Sequence, residues 1–305
     1  MIPTYQELMR PVLEAALGGE RKISDVVEEI SATFGLTEAE REEMLPSGKQ
    51  TTIANRVHWA RTYLKQAGLV RNPRRGFYEL TEVGRNLAED ATVKVDTKFL
   101  KQFDDFLAFQ ARTKTAEPQA SSDAPETDAD ATPDESIQAA YARLNQSLAS
   151  GLLDQVRGAS PAFFEALLVD LLLQMGYGGS SETAGRALGR TGDNGVDGVI
   201  DQDPLGVDQI YIQAKRYAEG NTVGAGDIRD FFGALNIRRA TKGIFFTTSS
   251  FSASARDTAQ ALGTRIILID GPQLARLMIR YNVGCRDKEV LRIKQIDEAY
   301  FDEEI

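Results

Sequence analysis

Apolar residues recur at three- and four-residue spacing through the first hundred positions, which is the signature of amphipathic helices. Leu8, Val12, Leu13 and Leu17 predict a helix over 5–17, and Val26, Val27 and Ile30 predict a second that starts at Ser24. Leu36-Thr37-Glu38 opens a short third helix, with Thr37 as its N-cap. Ile53, Val57, Ala60, Leu64 and Ala67 make one stripe of a helix over 51–67, and Gly68 ends it at the left-handed cap position. Two short strand-like pieces, 69–71 and 77–80, flank Asn72-Pro73-Arg74-Arg75-Gly76 and predict a β-hairpin with a basic tip. Thr81-Glu82 then opens a helix through Leu87. Helices followed by a helix and a hairpin predict a winged helix-turn-helix. Phe99, Leu100, Phe103, Phe106 and Leu107 give 95–112 the pattern of a single amphipathic helix.

The pattern lapses between 114 and 135, a run of Ala, Ser, Thr, Pro and Asp with no aromatic, Leu, Ile or Val. Such a run buries too little apolar surface to offset its ordering entropy, so it reads as a flexible acidic tether. Beyond it, 137–156 is helical in pattern, and a helix begins at Ser160-Pro161 and stops at Gly176. Strand-like runs follow at 196–201, 209–215, 243–248 and 265–270, with helices over 226–239, 252–262 and 271–281 between the later ones. Continuous apolar runs such as Ile266-Ile267-Leu268-Ile269 predict strands covered on both faces. Alternation with helices predicts an α/β sandwich. The expected domains are 1–92, a mainly α winged helix; 93–112, a connecting helix; 113–135, the linker; and 136–305, the α/β domain.

Composition narrows the chemistry. At about 150 residues per domain, 305 residues suggest two domains. No apolar run has the length of a membrane helix, and the first ten residues lack a basic-then-apolar signal pattern. Cys285 is the one cysteine and His58 the one histidine, which excludes an intrachain disulfide and any cysteine or histidine metal cluster. A reducing, cytoplasmic setting is the expectation. The net charge of -10 argues against a nucleic-acid partner only as a sum. Residues 47–85 carry eight basic side chains against Glu79 and Glu82, a local +6, and the local field decides phosphate binding.

One group in the second half carries chemistry. Asp197 opens a strand after the turn Gly192-Asp193-Asn194-Gly195, and Gln213-Ala214-Lys215 follow on the next strand. The turn-rich link 201–206 allows the two strands to be antiparallel neighbours. Gln213 and Lys215, two apart, share a sheet face, and Asp197 can lie beside them. A carboxylate, a carboxamide and an ammonium then converge, which suits phosphodiester hydrolysis with a hard divalent cation that prefers oxygen ligands. Asp197, the Gln213 side-chain oxygen and the Ala214 carbonyl are the expected metal ligands, and Lys215 the group that stabilises developing negative charge. Glu165, on the preceding helix, and Asp193 are further carboxylate candidates. Spacing alone leaves the ordinary reading open, an Asp in a turn and a strand Lys snorkelling to solvent.

The stretch 161–281 resembles the Mrr-type catalytic domain of the PD-(D/E)XK nuclease superfamily, carried by FFEALLVDLLLQMGY (163–177), GDNGVDGVIDQDPLG (192–206), IYIQAKRY (210–217), IRDFFGAL (228–235), GIFFTTSSFSASA (243–255) and LIDGPQLARLM (268–278). The first hundred residues resemble the winged-helix domain that precedes it in Mrr restriction proteins. The resemblance implies a mixed-sheet, restriction-endonuclease-like α/β/α fold and a D…QxK signature met by Asp197, Gln213 and Lys215. The neutral Gln213 departs from the Glu or Asp usual in the superfamily and matches the Mrr branch. The implied activity is Mg2+-dependent restriction of modified, chiefly methylated, double-stranded DNA, with Mn2+ able to substitute. A double-strand break needs two protomers or two separate events, and a homo-oligomer, a dimer or tetramer, is expected.

On this reading 51–66 is the recognition helix. Thr51, Asn55, His58 and Lys65, flanked by Arg56 and Arg61, are the expected DNA contacts, with Arg74 and Arg75 at the hairpin tip reaching backbone phosphate or the minor groove. Trp59 and Tyr63 are expected in the core or at an interface and not stacked on bases. The tether's carboxylates are expected to compete with DNA for the basic hairpin. Two other functions remain in view: a winged-helix regulator whose α/β half only oligomerises, and a repair nuclease that reads DNA structure.

Overall fold

The computed structural model describes residues 1–114, 130–178, 195–203, 205–297 and 300. The central acidic run 115–129 and Asp193 lie outside them. The chain forms two compact units, Met1–Tyr141 with Ile293–Ile305, and Ala142–Arg292.

In the first unit, α1 (Tyr5–Ala15) starts at a reciprocal cap, Thr4 accepting from the Glu7 amide while the Glu7 side chain accepts from the Thr4 amide. It is followed by β1 (Arg21–Lys22), α2 (Ile23–Thr33), α3 (Glu38–Glu42), α4 (Thr52–Gln66), β2 (Val70–Arg71), β3 (Phe77–Leu80) and α5 (Glu82–Glu89). Leu8, Val12, Leu13, Ile53, Val57, Leu64 and Tyr78 fill one core, as the helical stripes require. The hairpin gains a third strand: β1 pairs antiparallel with β3, giving the order β1-β3-β2. Two residues of strand, Arg21-Lys22, are too few to leave an alternating pattern, so sequence periodicity missed them. The helices and the sheet lock at Gly84, where a Cβ would stand 1.9 Å from the Leu69 carbonyl oxygen.

The expected single helix over 95–112 is corrected. It is two helices, α6 (Thr97–Leu100) and α7 (Asp104–Lys114). Asp96 caps the first by accepting from the Phe99 amide at 2.9 Å. Asp104 and Asp105 supply the negative charge favoured at the start of the second. The tether also ends earlier than the sequence suggested: α8 (Pro133–Gly158) starts inside it, with Thr132 and Glu135 forming its cap.

The second unit is a mixed four-stranded sheet in the order β4-β5-β7-β9, made of β4 (Gly198–Asp201), β5 (Gln209–Lys215), β7 (Lys242–Thr247) and β9 (Arg265–Ile269). β4 and β5 are antiparallel; β5-β7 and β7-β9 are parallel. Ile200, Ile210, Ile212 and Phe246 pack on α9 (Pro161–Gln174) and α12 (Gly271–Arg280) through Phe164, Leu168, Leu274 and Met278. Val196, Phe245 and Ile266 pack on the other side against α10 (Ala225–Ile237) and α11 (Ala253–Ala261) through Phe231, Leu235 and Ala255. This is the expected α/β/α sandwich. A small parallel ribbon of β6 (Thr222–Val223) and β8 (Ser250–Phe251) was not foreseen, again because each strand is two residues long.

Candidate active site

The site is built at the end of the antiparallel pair. Gly195 takes a left-handed turn (φ 85°) just ahead of β4, and Val196 is buried against the α10 side. The Asp197 amide then donates to the Ile212 carbonyl at 2.8 Å. Gly198 pairs with Ile212, so continuing the register sets Asp197 opposite Gln213, on the face that Gln213 shares with Lys215. The ladder stops at Gly198, which leaves the Ala214 amide without a strand partner on that edge. The Asp197 carboxylate takes its place: Oδ2 accepts from the Ala214 amide at 2.7 Å and from Gln213 Nε2 at 2.5 Å. In an extended strand a residue's C=O and N–H point to the same edge, so the Ala214 carbonyl faces the same side.

Lys215 pairs with Thr247 in β7, and its carbonyl accepts from the Thr247 hydroxyl at 2.9 Å. Burial raises the Asp197 pKa above the usual carboxylate value, offset in part by the Ala214 hydrogen bond and the Lys215 charge. Glu165, on α9, is raised by burial and by the charge of Asp197. The structure therefore brings together Asp197, Gln213, Ala214, Lys215 and Glu165.

A divalent cation fits this donor set. Both hydrogen bonds to Asp197 fall on Oδ2, which leaves Oδ1 for a metal, and the Lys215 charge offsets only part of the effect of burial on that carboxylate. No group of three His, Cys, Asp or Glu capable of holding a metal occurs among the described residues, so neutral oxygens and water must complete any shell. The orientation of Gln213 differs from the sequence expectation: its amide nitrogen, and not its oxygen, faces Asp197. A half-turn about its broad terminal torsion would exchange the two.

The expected DNA contacts lie in the first unit, on α4 and the hairpin. Thr51 is the N-cap of α4 and accepts from the Ala54 amide. His58 and Arg61 are half-buried along the helix, and Lys65 and Arg75 are exposed. Arg74 pairs with Glu20 at 2.5 Å and lies 3.7 Å over the Phe77 ring. Asn55 and Arg56 depart from expectation. Asn55 is buried, and Arg56 donates to the Ile2 and Pro3 carbonyls and to Glu135. Tyr63 stacks edge-on with Tyr5 and Phe106 and lies 5.6 Å from Trp59, as core residues do. Thr132, Asp134 and Glu135, which engage Asn55, Arg56 and Trp59, were missed. Their signal was present as Thr132-Pro133-Asp134-Glu135, a capping box with proline at the first helical position.

Among the described residues no helix is long and apolar enough to cross a membrane. A family model described as a restriction endonuclease, the Mrr catalytic domain, matches residues 156–278, and the Mrr N-terminal domain model matches 5–90. The "Type IV methyl-directed restriction enzyme EcoKMrr" of Escherichia coli (strain K12) is 34% identical over 312 residues, covering 99% of each chain. Among solved structures, "MspJI Restriction Endonuclease in Complex with 27-mer Oligonucleotide" is 19% identical and covers 64% of this chain and 42% of that one, with a TM-score of 0.30, too distant to inform the site. Identity at this level along nearly all of both chains, together with the two domain models, means that the chain belongs to the Mrr family of restriction endonucleases and is an endodeoxyribonuclease.

Proposed function

We propose that the chain cleaves methylated double-stranded DNA in an Mg2+-dependent reaction centred on Asp197, Gln213 and Lys215. The observation that carries this reading is the convergence of Gln213 and the Ala214 amide on one oxygen of a half-buried Asp197, with Lys215 close enough to lower that carboxyl's pKa. When bound, Mg2+, or Mn2+ in its place, supplies positive charge to the phosphate and acidifies a coordinated water. Asp197 Oδ1, the Ala214 carbonyl and the Gln213 amide oxygen would hold the cation. Glu165 adds a carboxylate at the edge of the shell. The Lys215 ammonium positions the attacking water and stabilises charge on the phosphate as a preorganised point charge.

Methylation as the feature read rests on the likeness to the E. coli relative, a methyl-directed restriction enzyme. The +6 segment and the α4 and hairpin side chains Thr51, Asn55, Arg56, His58, Arg61, Lys65, Arg74 and Arg75 would carry DNA binding. One cluster cuts one strand, so a double-strand break draws two protomers together in a homodimer or tetramer. The test is a cleavage panel of methylated, unmethylated and branched duplexes with Mg2+ or chelator. Asp197→Ala and Lys215→Ala should abolish nicking while DNA binding persists. Full activity in both variants rejects the site. Cleavage that follows branching and ignores methylation replaces restriction of modified DNA with a structure-specific activity.

A further inference from the structure

The polar side chains at the start of α4 are already engaged. Asn55 is 3% exposed and Thr132, just ahead of α8, 0% exposed. Thr132 Oγ1 donates to Asn55 Oδ1 at 2.8 Å, while Asn55 Nδ2 donates to Asp134 Oδ2 at 2.8 Å. The same Asp134 oxygen accepts from Trp59 Nε1 at 2.9 Å. Glu135 Oε1 accepts from Arg56 Nε at 2.9 Å and lies 2.8 Å from the neighbouring guanidinium nitrogen on that edge. A carboxylate can only accept, so the Asn55 amide orientation is fixed by its partner.

The chemistry of these contacts is that of duplex DNA. In the major groove adenine presents an N6–H donor beside an N7 acceptor, the pair that a carboxamide reads bidentately. The Thr132 hydroxyl and the Asp134 carboxylate present the same donor–acceptor pair to Asn55. The Nε edge of arginine is one of the edges that takes a phosphate or a guanine, and here a Glu135 oxygen occupies it. The other guanidinium nitrogen, bonded to the Ile2 and Pro3 carbonyls, would keep Arg56 in place if Glu135 left. Carboxylates and DNA cannot hold the same donors at once.

We propose that Thr132, Asp134 and Glu135 form an internal DNA mimic latched over the reading face of α4, which duplex DNA must displace to be read. This rests on the reading of α4 as the recognition helix. It also moves the acidic competitor from the hairpin, where the sequence suggested it, to the helix. A binding-competent state populated only when the latch is open lowers the apparent affinity by the open fraction. The latch lies wholly within the N-terminal unit, where it holds the first turn of α8 against α4.

Trp59 is the only tryptophan, so its emission reports the latch directly. The experiment uses the full chain in chelator, to prevent cleavage, with a fluorescent methylated duplex read by anisotropy. The Asp134→Ala/Glu135→Gln double variant should bind about tenfold tighter or more, the factor associated with one lost charge-assisted competitor. Its Trp59 emission without DNA should match that of the DNA-saturated unmodified protein. Unchanged or weaker binding by the folded double variant overturns the latch, as does Trp59 emission in the unmodified protein that saturating DNA leaves unmoved. Should the double variant fail to fold, Glu135→Gln alone keeps the cap through its amide oxygen and should still tighten binding several-fold; no gain there also overturns it. Asn55→Ala separates the two ideas. If it weakens binding while the latch variants gain nothing, the latch fails alone. If it has no effect in either background, the assignment of α4 as the reader fails.

Discussion

Removing Asp197 in two ways separates its charge from its hydrogen bonds. Asp197→Asn keeps an oxygen that can accept from both the Ala214 amide and Gln213 Nε2 but abolishes the charge. Asp197→Ala abolishes both. The Gln213 side chain is 6% exposed, so stranding its donor along with the half-buried Ala214 amide costs roughly 3 kcal/mol together, at about 1–3 kcal/mol for each buried unsatisfied group. At about 2–4 °C per kcal/mol for a domain of this size, the alanine variant should melt roughly 6–12 °C below the asparagine variant. The charge acts with the opposite sign. The folded pKa of Asp197 lies above its unfolded value, so the folded protein binds the proton more tightly. Its contribution to stability is therefore lost as pH rises through the raised pKa, and the ionised side chain costs stability at neutral pH. Asp197→Asn should then be more stable than the unmodified chain in chelator at pH 7.5. That advantage should vanish below the unfolded pKa, and divalent cation should stabilise only the unmodified chain. Differential scanning calorimetry across pH, with and without Mg2+, measures all of this. Equal melting of the two variants would show that Asp197 does not hold Gln213 and Ala214. An asparagine variant less stable than the unmodified chain at neutral pH would show that the charge is not a cost.

Two further outcomes follow from the N-terminal unit. Gly84→Ala places a Cβ against the Leu69 backbone, which has no flexible side chain to yield, so it should cost at least about 3 kcal/mol and lower the melting midpoint read by Trp59 fluorescence; a neutral substitution would mean the α5–hairpin packing is wrong. If Arg74 and Arg75 each neutralise one phosphate, replacing both by alanine should flatten the log–log salt dependence of DNA binding by about 1.8, from about 0.9 per phosphate, and an unchanged slope would remove the hairpin tip from the interface.

The catalytic half was legible because its strands carry apolar runs, although the expectation of cover on both faces fails at β9, an edge strand on which Ile267 is 40% exposed. Ile210, Ile212, Phe245 and Ile266 leave continuous apolar runs, and those runs fix both the sheet and the face shared by Gln213 and Lys215. The N-terminal unit was legible in its helices for the same reason, since Leu8, Val12, Ile53, Val57 and Leu64 are long-period stripes. What was not legible depended on contacts distant in sequence. Arg21 and Lys22 become a strand only because Tyr78 and Phe77 are there to pair with. The start of α6, capped by Asp96, is also tied by Gln6, ninety-one residues away, accepting from the Thr97 amide. The polar face of α4 reads as solvent-facing because the residues that cover it, Thr132, Asp134 and Glu135, sit in a run whose composition signals disorder. Composition averages over the run, and three well-placed side chains at its end escape the average.

The same locality explains the glutamine in the site. Gln213 is buried opposite Asp197, and its amide nitrogen donates to the carboxylate. A glutamate there would set two carboxylates within hydrogen-bonding distance, and such a pair ionises only once before a cation arrives. Gln213→Glu should therefore retain a shared proton. The pair's second pKa would rise, and stability would fall as pH climbs through it, by on the order of 1–3 kcal/mol relative to the unmodified chain in chelator. Divalent cation should reverse the order, because the added charge strengthens metal binding: the variant should reach half-maximal nicking at a lower Mg2+ concentration. Thermal melts in chelator against pH, paired with an Mg2+ titration of nicking, read both halves. A variant that matches the unmodified chain in chelator would mean that Gln213 does not face Asp197. Loss in chelator without gain in Mg2+ would move the metal away from Gln213, because a ligand that gains a charge must bind the cation more tightly.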